Sequence, residues 1–344
     1  MRKPSLIIVA IFYLTSLFFV GCVSNIKRGE RFISSSDTTF SADVRSVSQK
    51  INDNPRDEKL YATRANTFFY EDNFKEAISD IEYAIKLAPK NAVYHYKKGE
   101  YLMQLDTVQF KEVRKSFETA LKLQPEFPEA SLNLAKILIA RQEYSKAEKH
   151  LSDILYQDKT YAEAYFYRGI SRKEQKDTIN AVDMFTQALV YKDDYLEACI
   201  QLGDLYAQRG NELAIQYFNK ALQIDEYSYE ALYSKGLFLQ KKQQYKDALL
   251  HYEKVMDVNP GHKLASYNMA YINLLFENFS KAIELADDVL DIDPNYDNAY
   301  YLKGLCYEIQ GNEEEALALY KKTLEINPEN ALAKKALAKK TLVK

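Results

Sequence analysis

The chain has 344 residues, of which 47% are hydrophobic and 28% are charged, and this balance favours a folded body over a disordered chain. Ten Gly and eight Pro are too few for a sandwich or barrel of many short strands, so a mostly helical fold is predicted. The formal charge of −3 gives no electrostatic reason to expect a nucleic-acid partner, and three Cys with four His argue against a disulfide framework or a zinc-ribbon chain.

The first predicted element is an export signal over residues 1–21. Residues 2 and 3 are basic, and the apolar run at 6–20 is shorter than the roughly 20 residues that a membrane-spanning helix needs. The run ends in Phe-Val-Gly-Cys, which resembles a bacterial lipoprotein signal and implies cleavage before Cys22 and lipidation of its thiol. An uncleaved N-terminal anchor is the alternative. Both interpretations predict an exported body that is tethered to a membrane.

A polar stretch and a short helix are predicted next. Residues 22–40 are interpreted as a flexible tether with a reach of roughly 20–25 Å. Ser41 can cap a helix that carries Val44, Val47 and Ile51 on one face and ends before Pro55. Residues 41–57 are therefore predicted to form an N-terminal capping helix.

An internal period of about 34 residues organises the rest of the chain. Small residues recur at intervals of 33 to 36, and a second column of mostly small residues follows about twelve positions later. The first column is Ala65, Gly99, Ala135, Gly169, Gly203, Gly236, Ala270 and Gly304, and the second is Ala77, Val113, Ala147, Ala181, Ala214, Ala248, Ala282 and Ala316. Small residues at this spacing allow two helices to approach closely, and Pro recurs where one unit ends and the next begins.

These spacings resemble the tetratricopeptide repeat. The resemblance covers about residues 58–330 and implies an all-α fold, a right-handed α-solenoid of about eight helix-turn-helix units with terminal capping helices. Gly210 and Gly311 fall between the two helices of their units, where a turn is needed. The units are expected at 58–91, 92–127, 128–161, 162–195, 196–228, 229–262, 263–296 and 297–330, followed by a C-terminal capping helix at 331–344.

The sequence offers no catalytic constellation. Cys199 and Cys306 are interpreted as small core residues, and no phosphate loop or nucleophile elbow is present. We therefore predict a binding protein, not an enzyme, without a cofactor or a metal site. The four histidines lie in four different repeats and lack a metal-binding spacing: His95, His150, His251 and His262.

The candidate site is the concave groove that the resemblance places along the first helices of the repeats. Its Tyr and Phe rings are expected to anchor a bound segment, although many of the 28 Tyr can instead belong to the packing of the repeats. The carboxylate clamp of chaperone-binding family members is absent, because Lys97 and Glu129 stand where Asn and Lys are wanted. The predicted groove residues are Asn66, Tyr96, Glu100, Asn133, Lys136, Phe166, Tyr167, Gln201, Asp204, Tyr233, Asn268, Tyr271 and Tyr301.

Two functions remain open on the sequence. The leading hypothesis is a lipid-anchored protein–protein interaction scaffold of the bacterial cell envelope, which binds partner proteins or peptide segments for secretion, motility, envelope assembly or peptidoglycan remodelling. The alternative is a lipoprotein that captures glycan or peptide nutrients in a Tyr-rich groove. Because Val23 is not the Asp that retains lipoproteins in the inner membrane, the periplasmic face of the outer membrane is the expected location.

Overall fold

The computed structural model describes residues 38–105, 107 and 109–341. Within these residues the chain forms eighteen α-helices and no strand, which confirms the predicted all-α fold class. The helices are α1 (Ala42–Asp53), α2 (Glu58–Tyr70), α3 (Phe74–Leu87), α4 (Ala92–Leu102), α5 (Phe110–Leu123), α6 (Pro128–Ala140), α7 (Tyr144–Gln157), α8 (Ala162–Glu174), α9 (Thr178–Tyr191), α10 (Leu196–Gln208), α11 (Leu213–Ile224), α12 (Tyr229–Lys241), α13 (Tyr245–Val258), α14 (Lys263–Leu275), α15 (Phe279–Ile292), α16 (Asp297–Ile309), α17 (Glu313–Ile326) and α18 (Ala331–Thr341).

The chain divides into two compact units, and the division falls within α8, after Tyr167. In the first unit α2 packs on α3, α4 on α5 and α6 on α7. In the second unit α10 packs on α11, α12 on α13, α14 on α15 and α16 on α17, and each second helix also contacts the first helix of the next pair. Each unit is therefore a stack of helix pairs that bury their apolar faces against their neighbours.

The close approach within a helix pair depends on a matched choice of two side chains. Five first helices carry Gly in the small-residue column, and each of these glycines faces a buried Phe or Tyr ring of the second helix. A Cβ at Gly99 would lie 2.5 Å from a ring carbon of Phe117, and one at Gly236 would lie 2.6 Å from a ring carbon of Tyr252. These distances are far below the 3.5–4.0 Å of ordinary carbon contacts, so only Gly fits beside a ring.

The other three first helices carry Ala in this column, and the equivalent residue of the second helix is never aromatic. It is Ile81 in the first repeat, Leu151 in the third and Ala286 in the seventh, and all three are fully buried. A smaller side chain on the second helix thus leaves room for a methyl group on the first. The two positions are filled as pairs, Gly with an aromatic ring or Ala with an aliphatic side chain.

The turn inside a helix pair has the same backbone conformation in seven repeats. One residue, seven positions after the small-residue column, has a positive φ of about 58° to 83°. Gly210 and Gly311 hold this position in two repeats, as the sequence predicts, while five other repeats place there a residue that has a Cβ: Asp72, Gln142, Lys176, Gln243 and Glu277. For L-residues this conformation is unfavourable, so these five turns carry local strain.

The helix α1 is attached to the first unit by a hydrogen bond to a buried ion pair of α2 and α3. Ser41 caps α1 by accepting a hydrogen bond from the backbone N–H of Val44 at 3.1 Å. Arg64 of α2 is 1% exposed and donates two hydrogen bonds to the Asp80 carboxylate, from Nε at 2.6 Å and from Nη2 at 2.8 Å. Its Nη1 also donates to Ser48 of α1 at 3.0 Å, so one guanidinium joins α1, α2 and α3.

The predictions for the two ends of the chain fall on residues that the structure does not describe. The signal at 1–21, Cys22, most of the tether and residues 342–344 lie outside the described residues. Among the helices that are described, none combines the length and the apolar character needed to cross a membrane. Cys199 and Cys306 are buried free thiols. Burial raises the pKa of both, to about 11 for Cys306, so neither is a reactive thiolate at neutral pH.

Candidate functional site

The predicted groove residues all lie on first helices. Asn66 is on α2, and Tyr301 is on α16 at the other end of the set; the remaining eleven belong to α4, α6, α8, α10, α12 and α14. All of them except Phe166 are partly exposed, and Tyr271 is the most exposed of the large rings at 39%. In each of the two units taken by itself, we call the surface that carries these residues the first-helix face.

In the first unit, side-chain hydrogen bonds link neighbouring first helices. The Tyr101 hydroxyl donates to Asn66 Oδ1 at 3.4 Å, which joins α4 to α2. The Asn133 amide of α6 donates to the Tyr96 hydroxyl at 3.4 Å, and Tyr96 donates in turn to Glu100 at 2.7 Å. The second oxygen of Glu100 pairs with Lys97 at 3.1 Å, so these groups hold one another in fixed positions.

Lys136 is a partly buried cation of this face. Its ammonium group lies 4.8 Å from the centre of the Tyr167 ring, a cation–π contact. Burial lowers the pKa of Lys136, and the more distant carboxylates of Glu163 and Glu100 oppose that shift. The side chain therefore offers a partly desolvated positive charge to an incoming acidic group.

A separate opening of about 360 Å³ lies between α2 and α4. The walls combine two lysines with the polar side chains of Thr63 and Asn66 and the ring of Tyr101. Lys59 and Lys97 give this opening a positive character, as expected for a surface that receives the acidic side chains or the backbone carbonyls of a bound segment.

Phe166 differs from its expected placement. It is 7% exposed and packs edge-to-face against Tyr167, with ring centres 5.2 Å apart. Tyr96 and Tyr233 hold the equivalent position in their repeats, three residues before the small-residue column, and both remain partly exposed with a bonded hydroxyl. Phe has no hydroxyl to keep at the surface, so its ring joins the core and is not available as an anchor.

In the second unit, Asn268 joins three helices. Its amide donates to the hydroxyls of Tyr233 at 3.4 Å and Tyr252 at 3.3 Å, and thus connects α14 to α12 and α13. The Tyr252 hydroxyl donates to Gln240 at 2.7 Å, although its ring is fully buried. Burial raises the pKa of Tyr233, so this hydroxyl remains protonated and available as a hydrogen-bond donor.

Asp204 is a partly buried carboxyl group of the predicted site. Burial raises its pKa, while a hydrogen bond with Ser234 and the charge of Lys173 act in the opposite direction. Lys173 itself donates to Gln201 at 2.7 Å. A carboxylate held in a partly dry place with a cation nearby is suited to bind a donor group of a partner.

The sequence interpretation missed one member of the aromatic row. Tyr267 occupies the same position before the small-residue column as Tyr233 and Tyr301, each 34 residues from the next. It packs edge-to-face on Tyr296 with ring centres 5.3 Å apart, and burial raises its pKa to about 12. Lys263 lies 4.9 Å from the centre of the Tyr296 ring. The spacing of 34 was the signal that could have identified Tyr267.

Metal binding has no support in the part of the chain that the structure covers. There, no three or more His, Cys, Asp and Glu residues form a group that could hold a metal ion. His262 instead caps α14, because its Nδ1 accepts a hydrogen bond from the backbone N–H of Ala265 at 3.1 Å. The chemistry of the first-helix face is that of hydrogen bonds, aromatic contacts and isolated charges.

Comparison with known families identifies tetratricopeptide repeats in the chain. Residues 104–166 and 298–330 match the family described as Tetratricopeptide repeat, and residues 182–299 match the Tetratricopeptide repeat protein 21 C-terminal ARM domain. The predicted presence of tetratricopeptide repeats is therefore confirmed.

Comparison with individual proteins gives distant similarities. Human Protein O-mannosyl-transferase TMTC1 is 24% identical over 234 residues, which cover 66% of this chain and 25% of that protein. Human Mitochondrial import receptor subunit TOM70 is 24% identical over 206 residues, which cover 58% of this chain and 34% of that protein. The chain thus spans a quarter to about a third of these relatives. The crystal structure of the APC/C hetero-tetramer Cut9-Hcn1 is 17% identical, with a TM-score of 0.56, and the match covers 84% of this chain and 57% of that one. This similarity supports the fold of the chain and carries no information about its function.

Proposed function

Because the chain is built of tetratricopeptide repeats, we propose that it is a protein–protein interaction scaffold whose first-helix face binds a partner protein or peptide segment. The observation that carries this proposal is that, within each unit, partly exposed Tyr, Asn and charged side chains recur on successive first helices. Hydrogen bonds between repeats fix these groups before any partner arrives. A face that is ordered in advance loses less conformational entropy on binding than a mobile one.

The chemistry of the face favours an extended or helical protein segment over a small substrate. Tyr271 and Tyr167 supply aromatic contact area, and Lys136 and Asp204 supply isolated charges of both signs. Such a mixture suits a segment with apolar anchors and interspersed charges. One relative, TOM70, is named an import receptor subunit, which is consistent with a binding role.

We further propose that the protein does not catalyse a reaction. One relative is named a transferase, but the chain spans only 25% of that protein. The groups of the first-helix face whose pKa values are shifted lie on several different helices. No nucleophile is paired with a general base among them.

We propose that Cys22 carries a lipid and that the scaffold acts at the periplasmic face of the outer membrane. The support is the sequence alone, a short apolar run that ends in Phe-Val-Gly-Cys and a polar stretch before the first described helix. The partner would then be a protein of the envelope, in secretion, motility, envelope assembly or peptidoglycan remodelling.

The test of the binding role is crosslinking and pull-down from the native envelope, with a groove variant and a matched control. The double change Tyr167→Ala and Tyr271→Ala should weaken partner capture by about 2 kcal/mol or more, because desolvated aromatic area is lost. Lys149→Glu, on the exposed side of a second helix, should leave capture unchanged. If the control abolishes capture while the groove variant retains it, the partner binds the second helices and the proposed site is wrong.

A further inference from the structure

Three first helices carry a Lys directly before the small residue of the repeat, and two of these lysines are paired. Lys98 of α4 lies 3.0 Å from the carboxylate of Glu82, on the second helix of the preceding repeat. Lys303 of α16 forms the same kind of ion pair with Asp287 of α15. Each ion pair bridges the junction between one repeat and the next.

The third lysine, Lys235 of α12, lacks this partner. Glu82 and Asp287 each lie 17 residues after the small residue of their repeat, and the one-residue deletion before α11 puts Asn219 at the equivalent place. An amide cannot neutralise an ammonium group. Burial lowers the pKa of Lys235, Lys254 lowers it further, and the carboxylate that opposes this shift is that of Asp247.

A cavity of about 580 Å³ opens at this junction, and residues of α11, α12 and α13 line it. Its apolar side includes Leu232, which is 2% exposed, and the ring of Tyr227, which is 66% exposed. Its basic side consists of Lys235 and Lys254. The residues that line it are Asn219, Leu222, Gln223, Glu226, Tyr227, Leu232, Lys235, His251, Lys254, Asp257 and Val258.

The acidic residues of the lining do not take the place of the missing partner. Glu226 and Asp257 are exposed, and neither contributes to the pKa shift of Lys235. Because burial lowers the pKa of His251, that imidazole is neutral at physiological pH; its Nδ1 donates to the backbone carbonyl of Asp247 at 2.8 Å, so its Nε2 is an acceptor and the ring adds no charge. The cavity thus presents the partly desolvated ammonium group of Lys235 beside an apolar wall.

We propose that this cavity binds a carboxylate joined to an apolar group, with the carboxylate on Lys235 in the place that Glu82 and Asp287 occupy at the other two junctions. The two internal ion pairs show that the same framework accepts a carboxylate there. The volume suits a ligand with a body of several carbon atoms, since small-molecule sites typically measure about 300–1,000 Å³. Tyr227 and Leu232 would contact that body.

The ligand can come from two sources that share this chemistry, a free organic acid or an acidic side chain flanked by apolar residues on a partner. The site lies between the second helices α11 and α13, with Lys235 and Leu232 supplied by α12. None of its lining residues is a predicted groove residue, so the two proposals can fail separately. Binding to the full-length chain is measured by calorimetry with 3-phenylpropionate, with its neutral amide, and with an acetylated, amidated Leu-Asp-Leu peptide.

The charged probe should bind at least tenfold more tightly than its amide, because a hydrogen bond to a charged group contributes more than a neutral one. Lys235→Gln should weaken binding about tenfold or more. Asn219→Asp should also weaken binding, because the new carboxylate would form an ion pair with Lys235, as Glu82 does with Lys98. Lys303→Gln, at a junction that is already paired, is the matched control and should leave binding unchanged.

Circular dichroism and thermal unfolding of each variant show whether the fold is retained. Asn219→Asp is the decisive variant, because it is expected to preserve or increase stability while it removes binding. Tighter binding of the peptide than of the free acid would identify an acidic partner segment, and the reverse order a small organic acid. Equal binding of acid and amide, absence of binding to both charged probes, or full binding by both Lys235→Gln and Asn219→Asp would overturn the proposal.

Discussion

The matched Gly–aromatic pairs predict that a single methyl group will destabilise a repeat. In Gly203→Ala the new Cβ would lie 2.6 Å from Cδ1 and 3.0 Å from Cζ of Phe218, a ring that is fully buried. Ordinary carbon contacts are 3.5–4.0 Å, so α10 or the ring must move by about 1 Å. Overpacking of this kind costs about 1–3 kcal/mol, and the higher helix propensity of Ala returns about 1 kcal/mol. The net loss is therefore about 0–2 kcal/mol.

The second change of the pair reverses the effect of the first. Phe218→Leu alone should destabilise by about 1–2 kcal/mol, because it leaves a gap beside Gly203. In the double variant the Ala methyl group fills part of that gap, and the pair becomes the Ala135 and Leu151 combination that the third repeat already uses. We expect a coupling energy of about 1–2 kcal/mol in favour of the double variant.

Urea unfolding of the four proteins, followed by far-ultraviolet circular dichroism, measures this coupling. Ala135→Gly is a control in the opposite sense, since it enlarges a gap beside Leu151 and should destabilise without any strain being relieved. If the effects of Gly203→Ala and Phe218→Leu add to within about 0.5 kcal/mol, the two positions are not matched and the explanation of the small-residue column is wrong.

Three further predictions address the cap, the site and the anchor. Arg64→Met should destabilise by about 3–5 kcal/mol, because it leaves Asp80 buried without its partner, and hydrogen exchange of α1 should accelerate; a loss below about 1 kcal/mol would contradict a role for this ion pair in holding the cap. Because burial raises the folded-state pKa of Asp204, its contribution to stability is present at low pH and is lost as the pH rises through that pKa. Asp204→Asn should therefore raise the melting temperature at pH 7 and change it little near pH 3. A lower melting temperature of the variant at pH 7 would mean that attractive contacts of the carboxylate outweigh the cost of its desolvation. Cys22→Ala should leave the precursor uncleaved at this site and abolish labelling by a fatty-acid analogue, and persistent labelling would exclude Cys22 as the lipid site.

The fold could be predicted from the sequence because the signal is repeated. One small residue at one place is weak evidence, but a column such as Gly169, Gly203 and Gly236 at intervals of about 34 indicates a helix pair each time. The same repetition identifies the first helix of each pair, and with it the helices that carry the predicted groove residues. What the column does not show is the aromatic partner: that Gly203 faces Phe218 follows only from the packed helices.

The site was less predictable, because exposure depends on individual contacts. Phe166 and Tyr96 hold equivalent positions, yet the first is buried and the second is partly exposed. The difference arises from one hydroxyl and its hydrogen bond to Glu100. The one-residue deletion before α11 is visible in the repeat interval of 33, but the ion pairs that Lys98 and Lys303 form, and that Lys235 lacks, are seen only in the structure. Both features become visible only when the repeats are compared in three dimensions.

The recurrent left-handed turn has an evolutionary consequence. Lys176, Gln243 and Glu277 occupy a backbone conformation that Gly210 and Gly311 adopt without strain. The turn belongs neither to the matched Gly–aromatic pairs nor to the first-helix row, so substitutions there alter the stability of one repeat while its packing and its binding groups stay the same. A lineage of such proteins can therefore adjust its tolerance of heat or of a destabilising binding-site mutation repeat by repeat, through exchanges between Gly and polar residues at this one position.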